Sequence, residues 1–268
     1  MNVTAKNTLR KAGFPPLKRL GQNFLADKNA VKKVIKASQL GPDDVVLEIG
    51  PGTGVLTLEL AKRAKRVIAV EKDKRMQTIL KDTLKGFDNV EILGQDARKM
   101  PEMAIKTYTY KVVANLPFYL ASPIIRKFLE SKNQPRQMAL IIQKEVAQRI
   151  CAKVPDMNLL AVSVQFYAEP EIISFVSKKA FWPQPEVDAA IIKIVPRRKR
   201  FLIDPGKFFS VVKAGFSQPR KQLLNNLSRK LGREKEKVKV WLIRNNIQPS
   251  QRAETLAVKD WVKLAKTL

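Results

Sequence analysis

The sequence predicts a doubly wound α/β fold in which a mostly parallel sheet is followed by a small all-helical domain. Short apolar, β-branched runs alternate with helical patterns over residues 30–150, which indicates crossover units and a parallel sheet. Two strand-like runs then follow each other and would add an antiparallel edge strand. Beyond Pro196 the apolar spacing is helical throughout.

Each element of the first region follows from its own residue pattern. Helices have apolar residues on one face, and strands are short apolar runs bounded by polar or glycine residues. The predicted strands are Val45–Ile49, Arg66–Glu71, Val90–Leu93, Tyr110–Asn115 and Met138–Ile142, followed by the edge pair Ile172–Ser177 and Val187–Val195. The predicted helices are a face through Val31, Val34, Ile35 and Ser38, then Leu56–Ala64, Met76–Leu84, Glu145–Ile150 and Leu159–Tyr167.

A basic run followed by a turn marks the expected domain boundary. Residues 196–200 read Pro-Arg-Arg-Lys-Arg, and Asp204-Pro205-Gly206 precedes the next helical pattern. We therefore expect two domains, residues 1–196 and residues 197–268. The second domain has four helical patterns, one of which ends at Gly232, a residue suited to a C-cap.

Composition excludes several kinds of chemistry. The chain of 268 residues has no His and a single Cys, Cys151. A Ser-His-Asp triad, a Cys-His pair and a Cys/His zinc site are therefore impossible within it, and no metal site is expected. No intrachain disulfide can form. No apolar run approaches the roughly 18 residues of a membrane span, and the expected partners include no membrane.

The charge predicts a polyanionic partner. The chain has 51 Lys and Arg against 24 Asp and Glu, a formal net charge of +27. Residues 196–268 hold 19 of the basic residues and only 5 of the acidic ones. Nucleic acid or an anionic membrane would explain such an excess, and its density in the tail favours nucleic acid over a merely solvated basic face.

The first 26 residues form a further basic segment. They contain five Lys or Arg and no acid, and they lack the apolar stretch of a secretory signal. We expect a mobile basic arm, with a short mitochondrial presequence as the alternative.

A glycine-rich turn is the strongest local signal. Residues 48–54 read Glu-Ile-Gly-Pro-Gly-Thr-Gly between a predicted strand and a predicted helix. Gly50, Gly52 and Gly54 would allow a sharp turn and let a ligand touch the backbone. The last Gly of a dinucleotide fingerprint would fall at Val55, so nicotinamide binding is disfavoured.

Two acidic residues follow neighbouring strands of the predicted sheet. Glu71 ends the second strand, and Asp96 follows the third. The first carboxylate could accept hydrogen bonds from ribose hydroxyls and the second from the exocyclic amine of an adenine. Either residue alone is more simply a turn or cap residue, but together they predict a ligand crevice at the carboxyl ends of the strands.

The run Asn115-Leu116-Pro117-Phe118 ends the fourth strand and is suited to adenine chemistry. Adenine N6 is a poor nucleophile because its lone pair is delocalised into the ring. An Asn carboxamide oxygen and a backbone carbonyl can accept both N6–H bonds and favour a pyramidal nitrogen. Pro117 restricts Leu116 to an extended backbone that could aim its carbonyl, and Phe118 can stack on the base. The alternative is a plain loop with a buried Phe.

Together these motifs resemble the ribosomal RNA adenine dimethyltransferases, most closely their bacterial small-subunit branch. The resemblance runs from about Leu17 to Leu268 and includes Gly21 to Leu25, Phe181 to Asp188 and Gly215 to Leu227. It implies a Rossmann-like methyltransferase sheet and S-adenosylmethionine as methyl donor. It also implies a role for individual residues: Asn23 and Leu25 close over the donor, Gly50 contacts it, Glu71 binds its ribose, Asp96 binds its adenine, and Asn115 lies at the target amine.

The resemblance further implies the reaction and the partner. The expected reaction is N6,N6-dimethylation of two adjacent adenosines near the 3′ end of small-subunit ribosomal RNA, coupled to maturation of the subunit. The expected partner is that RNA or an assembling small subunit, and the expected enzyme is a cytoplasmic monomer. The expected RNA contacts are Arg197, Arg198, Lys199, Arg200, Arg220 and Lys221.

Some positions depart from the family pattern, and rival functions stay open. Phe118 stands where the family usually has Tyr, Ala189 where it usually has Ser, and Pro219 where Arg is common. Large-subunit enzymes of the erythromycin-resistance type share the catalytic motifs, although Gly215 to Leu227 favours the small-subunit branch. A eukaryotic or mitochondrial relative is a further alternative, and a non-catalytic RNA-binding assembly factor is the rival from another class.

Overall fold

The computed structural model describes residues 5–17, 21–100, 109–199 and 201–268. The chain divides into two compact units: the first comprises Met1–Ala147 and Pro170–Pro196, and the second comprises Gln148–Glu169 and Arg197–Leu268. This division differs from the expected domains 1–196 and 197–268 in one stretch, residues 148–169. That stretch belongs to the second unit because Ala161, Val162 and Phe166 are buried in the core of that unit.

The elements alternate along the first half of the chain and become helical at its end. In chain order they are α1 (Ala5–Lys11), β1 (Phe24–Leu25), α2 (Lys28–Ser38), β2 (Val45–Ile49), α3 (Val55–Ala61), β3 (Arg66–Val70), α4 (Lys74–Thr83), β4 (Val90–Leu93), β5 (Tyr110–Asn115), α5 (Ala121–Glu130), β6 (Gln137–Gln143), α6 (Lys144–Ile150), α7 (Leu159–Tyr167), β7 (Ala168–Val176), β8 (Phe181–Trp182), β9 (Ala189–Pro196), α8 (Pro205–Gly215), α9 (Leu223–Leu231), α10 (Lys235–Arg244) and α11 (Val258–Lys266).

A seven-stranded sheet forms the centre of the first unit. Its strand order is β4-β3-β2-β5-β6-β9-β7. The pairs from β4 to β6 are parallel, and β9 runs antiparallel to β6. Every residue of the central strand β2 is buried, as expected where helices cover both faces of a parallel sheet. The predicted mostly parallel sheet, to which an antiparallel strand is added on one side, is confirmed.

A separate two-stranded ladder joins two sequence motifs that are far apart in the chain. In it, β1 pairs antiparallel with β8, so that Phe24 lies opposite Trp182 and Leu25 opposite Phe181. Nothing local in the sequence indicated this pairing. It holds the segment before α2 against the segment before β9.

Two helices of the first unit differ from the sequence-based expectations. Residues 5–11 form α1 rather than a mobile arm, because Ala5 and Leu9 are spaced for one helix face and are buried against Phe24 and Met76. The sequence analysis also missed α5, which buries the apolar side of its helix. Pro123 lies in the first turn of α5, where a missing N–H costs little.

The second unit packs its helices around aromatic residues. The rings of Phe166 and Phe208 stack with centroids 4.0 Å apart, and Trp261 is fully buried. Gly215 leaves room for that indole, since a Cβ there would clash with Trp261 Cη2. The four predicted helices are confirmed, and Gly232 ends α9 with a left-handed φ of 63°. In the part of the chain that the structure describes, no helix is long and apolar enough to cross a membrane.

Candidate active site

A pocket in the first unit opens at the carboxyl ends of β2, β3, β4 and β5. This is the edge at which parallel α/β sheets bind their ligands. The pocket brings together almost all of the residues that the sequence nominated for a donor or a target base: Asn23, Leu25, Gly50, Gly52, Glu71, Asp96, Asn115, Leu116, Pro117 and Phe118. Gly54 does not line it. That residue instead begins α3 as its N-cap.

Gly52 shapes the turn between β2 and α3. Its φ is 57°, a left-handed value that other residues rarely adopt. A Cβ at this position would lie 2.9 Å from the ring of Phe24. The glycine therefore lets β1 close directly over the turn, and it keeps the backbone of the turn within reach of a ligand.

Glu71 is held by backbone amides at the end of β3. Its Oε2 accepts a hydrogen bond from Gly52 N–H at 3.2 Å, and its Oε1 accepts one from Asp73 N–H at 2.8 Å. Burial raises the pKa of Glu71, and the backbone donors oppose that shift. A carboxylate has about four acceptor positions. Both oxygens therefore keep capacity for ligand hydroxyls while the backbone fixes their orientation.

Glu48 is a pocket residue to which the sequence analysis gave no role. Its side chain is 1% exposed at the end of β2, and among the described residues its Oε2 has no hydrogen-bond partner. Burial raises the pKa of Glu48 to about 8, and the nearby Glu71 acts in the same direction. An acid inside a fully apolar strand was the signal that could have identified it. A buried carboxyl with one unpartnered oxygen suits a cationic ligand.

Asp96 lies in the turn after β4 and is held by Arg98. Its Oδ1 accepts from Arg98 N–H and Nε at 3.0 and 3.1 Å, and its Oδ2 accepts from Nη2 at 2.7 Å. The Arg98 guanidinium holds the pKa of this carboxyl well below its usual range. Asp96 is therefore ionised, and a ligand amine would share it with Arg98.

Asn115 has its carboxamide fixed by the backbone of another segment. Its Nδ2 donates to the Asn23 carbonyl at 2.9 Å. Among the described residues, none donates a hydrogen bond to Asn115 Oδ1, so the oxygen is the end of the amide left for a ligand. Asn115 Nδ2 is not available to a ligand in this way, because it already donates to the Asn23 carbonyl.

The backbone after Asn115 leaves one carbonyl oxygen for a ligand. Leu116 N–H donates to the Ile141 carbonyl at 3.1 Å, and the Pro117 carbonyl accepts from Leu120 N–H at 2.8 Å. Within the described chain no donor bonds the Leu116 carbonyl oxygen. Pro117 has a φ of −51° and a ψ of 136° and begins a short 3₁₀ turn over Phe118–Leu120.

The segment Gly21–Leu25 is tied to the pocket from both ends. Gln22 Oε1 accepts from Leu17 N–H at 2.8 Å, and its Nε2 donates to Asp73 Oδ2 at 3.0 Å. Hydrogen bonding from Arg75 lowers the pKa of Asp73, so this anchor is charged. Leu25 pairs with Phe181 in the β1–β8 ladder.

Three aromatic pocket residues had no role in the sequence analysis: Phe24, Phe181 and Tyr119. Phe181 was quoted as part of a motif without a role, and the structure places it in the pocket lining, 5% exposed. Tyr119 also lines the pocket, but it is 50% exposed. The position of Tyr119 directly after Phe118 was the sequence feature that could have identified it as a pocket residue.

The basic residues nominated for RNA binding belong to the second unit. Arg198, Lys199, Arg220 and Lys221 are exposed. Arg197 differs, because its Nη1 pairs with Glu169 Oε1 at 2.6 Å and its Nε donates to the Gln165 carbonyl at 3.0 Å. Arg200 lies outside the described residues.

Comparison with known proteins identifies the family. The chain matches the family model described as ribosomal RNA adenine dimethylase over residues 16–268. The chain belongs to this family. It is 44% identical to "Ribosomal RNA small subunit methyltransferase A" from Dehalococcoides mccartyi, over 97% of this chain and 91% of that protein.

Solved structures of similar fold agree with this membership. A dimethyladenosine transferase from Plasmodium falciparum has a TM-score of 0.77 at 28% identity, and the match covers 90% of this chain and 95% of that one. The 23S rRNA methyltransferase ErmE has a TM-score of 0.75 at 26% identity, and the match covers 92% and 99% of the two chains. The fold is thus that of Rossmann-like methyltransferases.

As an rRNA adenine dimethylase, the chain takes its methyl groups from S-adenosylmethionine. The residues of the pocket fit this donor. Glu71 offers acceptors for the ribose hydroxyls, and Asp96 offers an acceptor for the adenine amine. The orphaned Oε2 of Glu48 fits the positive charge of the donor's methionine moiety.

Proposed function

We propose that this rRNA adenine dimethylase converts two adjacent adenosines near the 3′ end of small-subunit ribosomal RNA into N6,N6-dimethyladenosine during maturation of the subunit. The observation that carries the proposal is the Asn115 carboxamide, oriented by the Asn23 carbonyl beside the donor pocket. The choice of the small subunit is supported by 44% identity to a small-subunit methyltransferase, against 26% to the 23S enzyme.

The donor half of the site binds and orients the methyl donor. S-adenosylmethionine, when bound, supplies a methyl group on a positively charged sulfur. Glu71 accepts hydrogen bonds from the ribose, Asp96 accepts one from the adenine amine, and Gly50 and Gly52 let the backbone approach. Asn23 and Leu25 close the pocket from the β1 side. These roles follow from the preformed geometry of each group.

The target half of the site makes adenine N6 nucleophilic. For the first transfer, Asn115 Oδ1 and the Leu116 carbonyl each accept one N6–H, which draws the amine out of conjugation and aims its lone pair. For the second transfer, a single N6–H remains for one of the two acceptors. Because Pro117 follows it, Leu116 favours an extended backbone, which would present its carbonyl. After each transfer the nitrogen carries an extra proton, which it releases to solvent. No histidine base is required, in keeping with a chain that has none.

Aromatic residues hold the target base in the pocket. Phe118 stacks on the adenine through its ring alone, since it has no hydroxyl. Phe181 supplies a second, buried ring in the lining. Stacking on an aromatic side chain tolerates any base. We therefore assign the choice of adenine to the two acceptors at N6.

The second unit supplies contacts to RNA phosphates. Arg198, Lys199, Arg220 and Lys221 are exposed and basic, as phosphate contacts require. Arg200 belongs to the same basic run in the sequence. Arg197 contributes less because Glu169 already neutralises it. We further propose that the enzyme acts in the cytoplasm. We also propose that it acts as a monomer, because one unit of one chain supplies every residue of the pocket.

The test is methyl transfer from labelled S-adenosylmethionine to ribosomal particles that lack the modification. We expect label in small-subunit RNA, recovered after digestion as N6,N6-dimethyladenosine at adjacent positions. Asn115→Ala, tested in parallel, should label the particles roughly 10²–10³ times more slowly. Label confined to large-subunit RNA, or no label with any particle, would contradict the proposal and favour one of the rival functions.

A further inference from the structure

Tyr119 is an aromatic residue of the pocket for which the proposed mechanism has no role. It lies in the 3₁₀ turn Phe118–Leu120, one residue after the ring that stacks on the target base. Half of its side chain is exposed, 50%, whereas Phe181 in the same lining is 5% exposed. Among the described residues it makes no hydrogen bond through its hydroxyl. Its ring is thus available at the mouth of the pocket.

The ring lies beside the Gly21 segment. A Cβ on Gly21 would be 3.5 Å from Tyr119 Cε1 and 3.6 Å from Tyr119 Cδ1, so one edge of the ring borders this segment. A neighbour on one side limits the positions that the ring can take, which lowers the entropy cost when a base stacks on it.

The chemistry of this ring suits a nucleotide base. Proteins that bind single-stranded nucleic acid use exposed aromatic side chains on which bases stack, and Tyr119 presents such a ring in the pocket lining.

The chain path of an RNA substrate brings a second nucleotide to this place. The target adenine must enter the pocket to reach Asn115, so its neighbour in the strand is left at the mouth. We propose that Tyr119 is a substrate-binding residue that stacks on the base of the nucleotide next to the target adenosine. The inference rests on the proposed function and extends it from one base to two.

Two variants of Tyr119 and one control separate stacking from packing. Tyr119→Leu removes the ring but keeps bulk against Gly21, and Tyr119→Phe keeps the ring and removes the hydroxyl. The matched control is Phe175→Ala on the edge strand β7, because Phe175 is 51% exposed and lies outside the pocket. Kinetics are measured at saturating S-adenosylmethionine with an RNA hairpin whose loop contains two adjacent adenosines.

Loss of one stacked base predicts a specific kinetic pattern. For Tyr119→Leu, we expect KM for the hairpin to rise by roughly 5- to 100-fold, the effect of one base stacked on an aromatic residue, with little change in kcat. Tyr119→Phe and Phe175→Ala should retain the wild-type KM. Calorimetric affinity for S-adenosylmethionine and the Tm should be unchanged in all three variants.

A spectroscopic readout tests the contact directly. Hairpins carry 2-aminopurine on the 3′ or the 5′ side of a target adenosine, and their fluorescence is titrated with enzyme. Wild type and Tyr119→Phe should quench the probe at one of these positions, and Tyr119→Leu should not. The fluorescence experiment detects stacking on Tyr119 even if the wild type methylates no RNA. Absence of methylation would overturn only the proposed function.

Two results would overturn the role of Tyr119. One is an unchanged KM together with unchanged quenching in Tyr119→Leu. The other is a weaker affinity for S-adenosylmethionine with normal RNA binding, which would mean that the ring only packs against the Gly21 segment.

Discussion

The donor half and the target half of the site are held in different ways. In the donor half, Glu71 is fixed by two backbone amides, and Glu48 is buried with an unpartnered oxygen. In the target half, the backbone of Asn23 fixes Asn115, but the two rings that follow it lie partly or half exposed on a short 3₁₀ turn.

This difference indicates how each ligand is recognised. The donor meets polar groups whose orientation is set before it binds, so a single substitution there removes a large share of the binding energy. The RNA is held by stacking and by surface cations, which act through many small contributions. We therefore expect the effects of substitutions to decrease from the buried groups to the exposed ones.

The largest effect is expected at Asn115, where the target half is as rigid as the donor half. Asn115→Ala removes an oriented acceptor and should lower the single-turnover methylation rate by roughly 10²–10³. Affinity for S-adenosylmethionine, measured by calorimetry, should change much less. A variant with near-wild-type turnover would show that the amide does not orient the amine.

Glu48 should make the stability of the donor-free enzyme depend on pH. The folded protein keeps this carboxyl protonated up to about pH 8, whereas the unfolded chain releases the proton near the ordinary value of 4.5. Its contribution to the free energy of unfolding is therefore complete below pH 4.5. As pH rises to about 8 this contribution falls, by up to about 1.4 kcal/mol per pH unit.

Urea denaturation of wild type and Glu48→Gln between pH 5 and about 8 measures this dependence. The unfolding free energy of wild type should fall relative to that of Glu48→Gln as pH rises. Parallel profiles would mean that the pKa of Glu48 is not raised in the folded protein, and that burial of this carboxyl does not lower the unfolding free energy as pH rises.

Glu71 tests whether the donor half depends on single charged groups. Glu71→Ala should weaken binding of S-adenosylmethionine by about 1.5–3 kcal/mol, because charge-assisted hydrogen bonds are lost. RNA affinity should stay nearly intact. Glu71→Gln is the matched control, since it keeps one acceptor for the ribose. Calorimetry that finds wild-type donor affinity in Glu71→Ala would remove this residue from the site.

Substitution of Phe118 tests the target half, whose rings are partly or half exposed. Phe118→Ala should cost about 1–3 kcal/mol of base stacking, measured as weaker RNA binding and a higher KM for RNA. Phe118→Tyr should be nearly silent, because it keeps the ring. Stacking would not be the main role of Phe118 if the Tyr variant were strongly impaired or the Ala variant fully active.

The smallest effects are expected for single cations of the second unit. Arg198→Gln should flatten the salt dependence of log RNA affinity by about 0.9 if Arg198 contacts one duplex phosphate. Its neighbour Arg197 is a built-in control, because it is already paired with Glu169, so Arg197→Gln should flatten the slope less. Equal slopes for wild type and both variants would indicate that this run serves solubility only.

The sequence by itself determined the strands of the main sheet, most of the helices and most of the residues of the site. Runs such as Val45–Ile49 are short, rich in apolar residues and buried at every position, which is typical of strands in a sheet covered by helices on both faces. The carboxyl ends of parallel strands lie on one edge. That geometric rule was sufficient to bring Gly50, Glu71, Asp96 and Asn115 together.

Only the tertiary structure decided which groups are fixed and which are available. The pairing of β1 with β8 and the hydrogen bond from Asn115 to Asn23 join segments far apart in sequence, and no local pattern encodes them. Burial likewise depends on everything packed around a side chain. Two acids of similar chemistry therefore became an orphaned Glu48 and an ion-paired Asp96, and two adjacent rings differ in exposure.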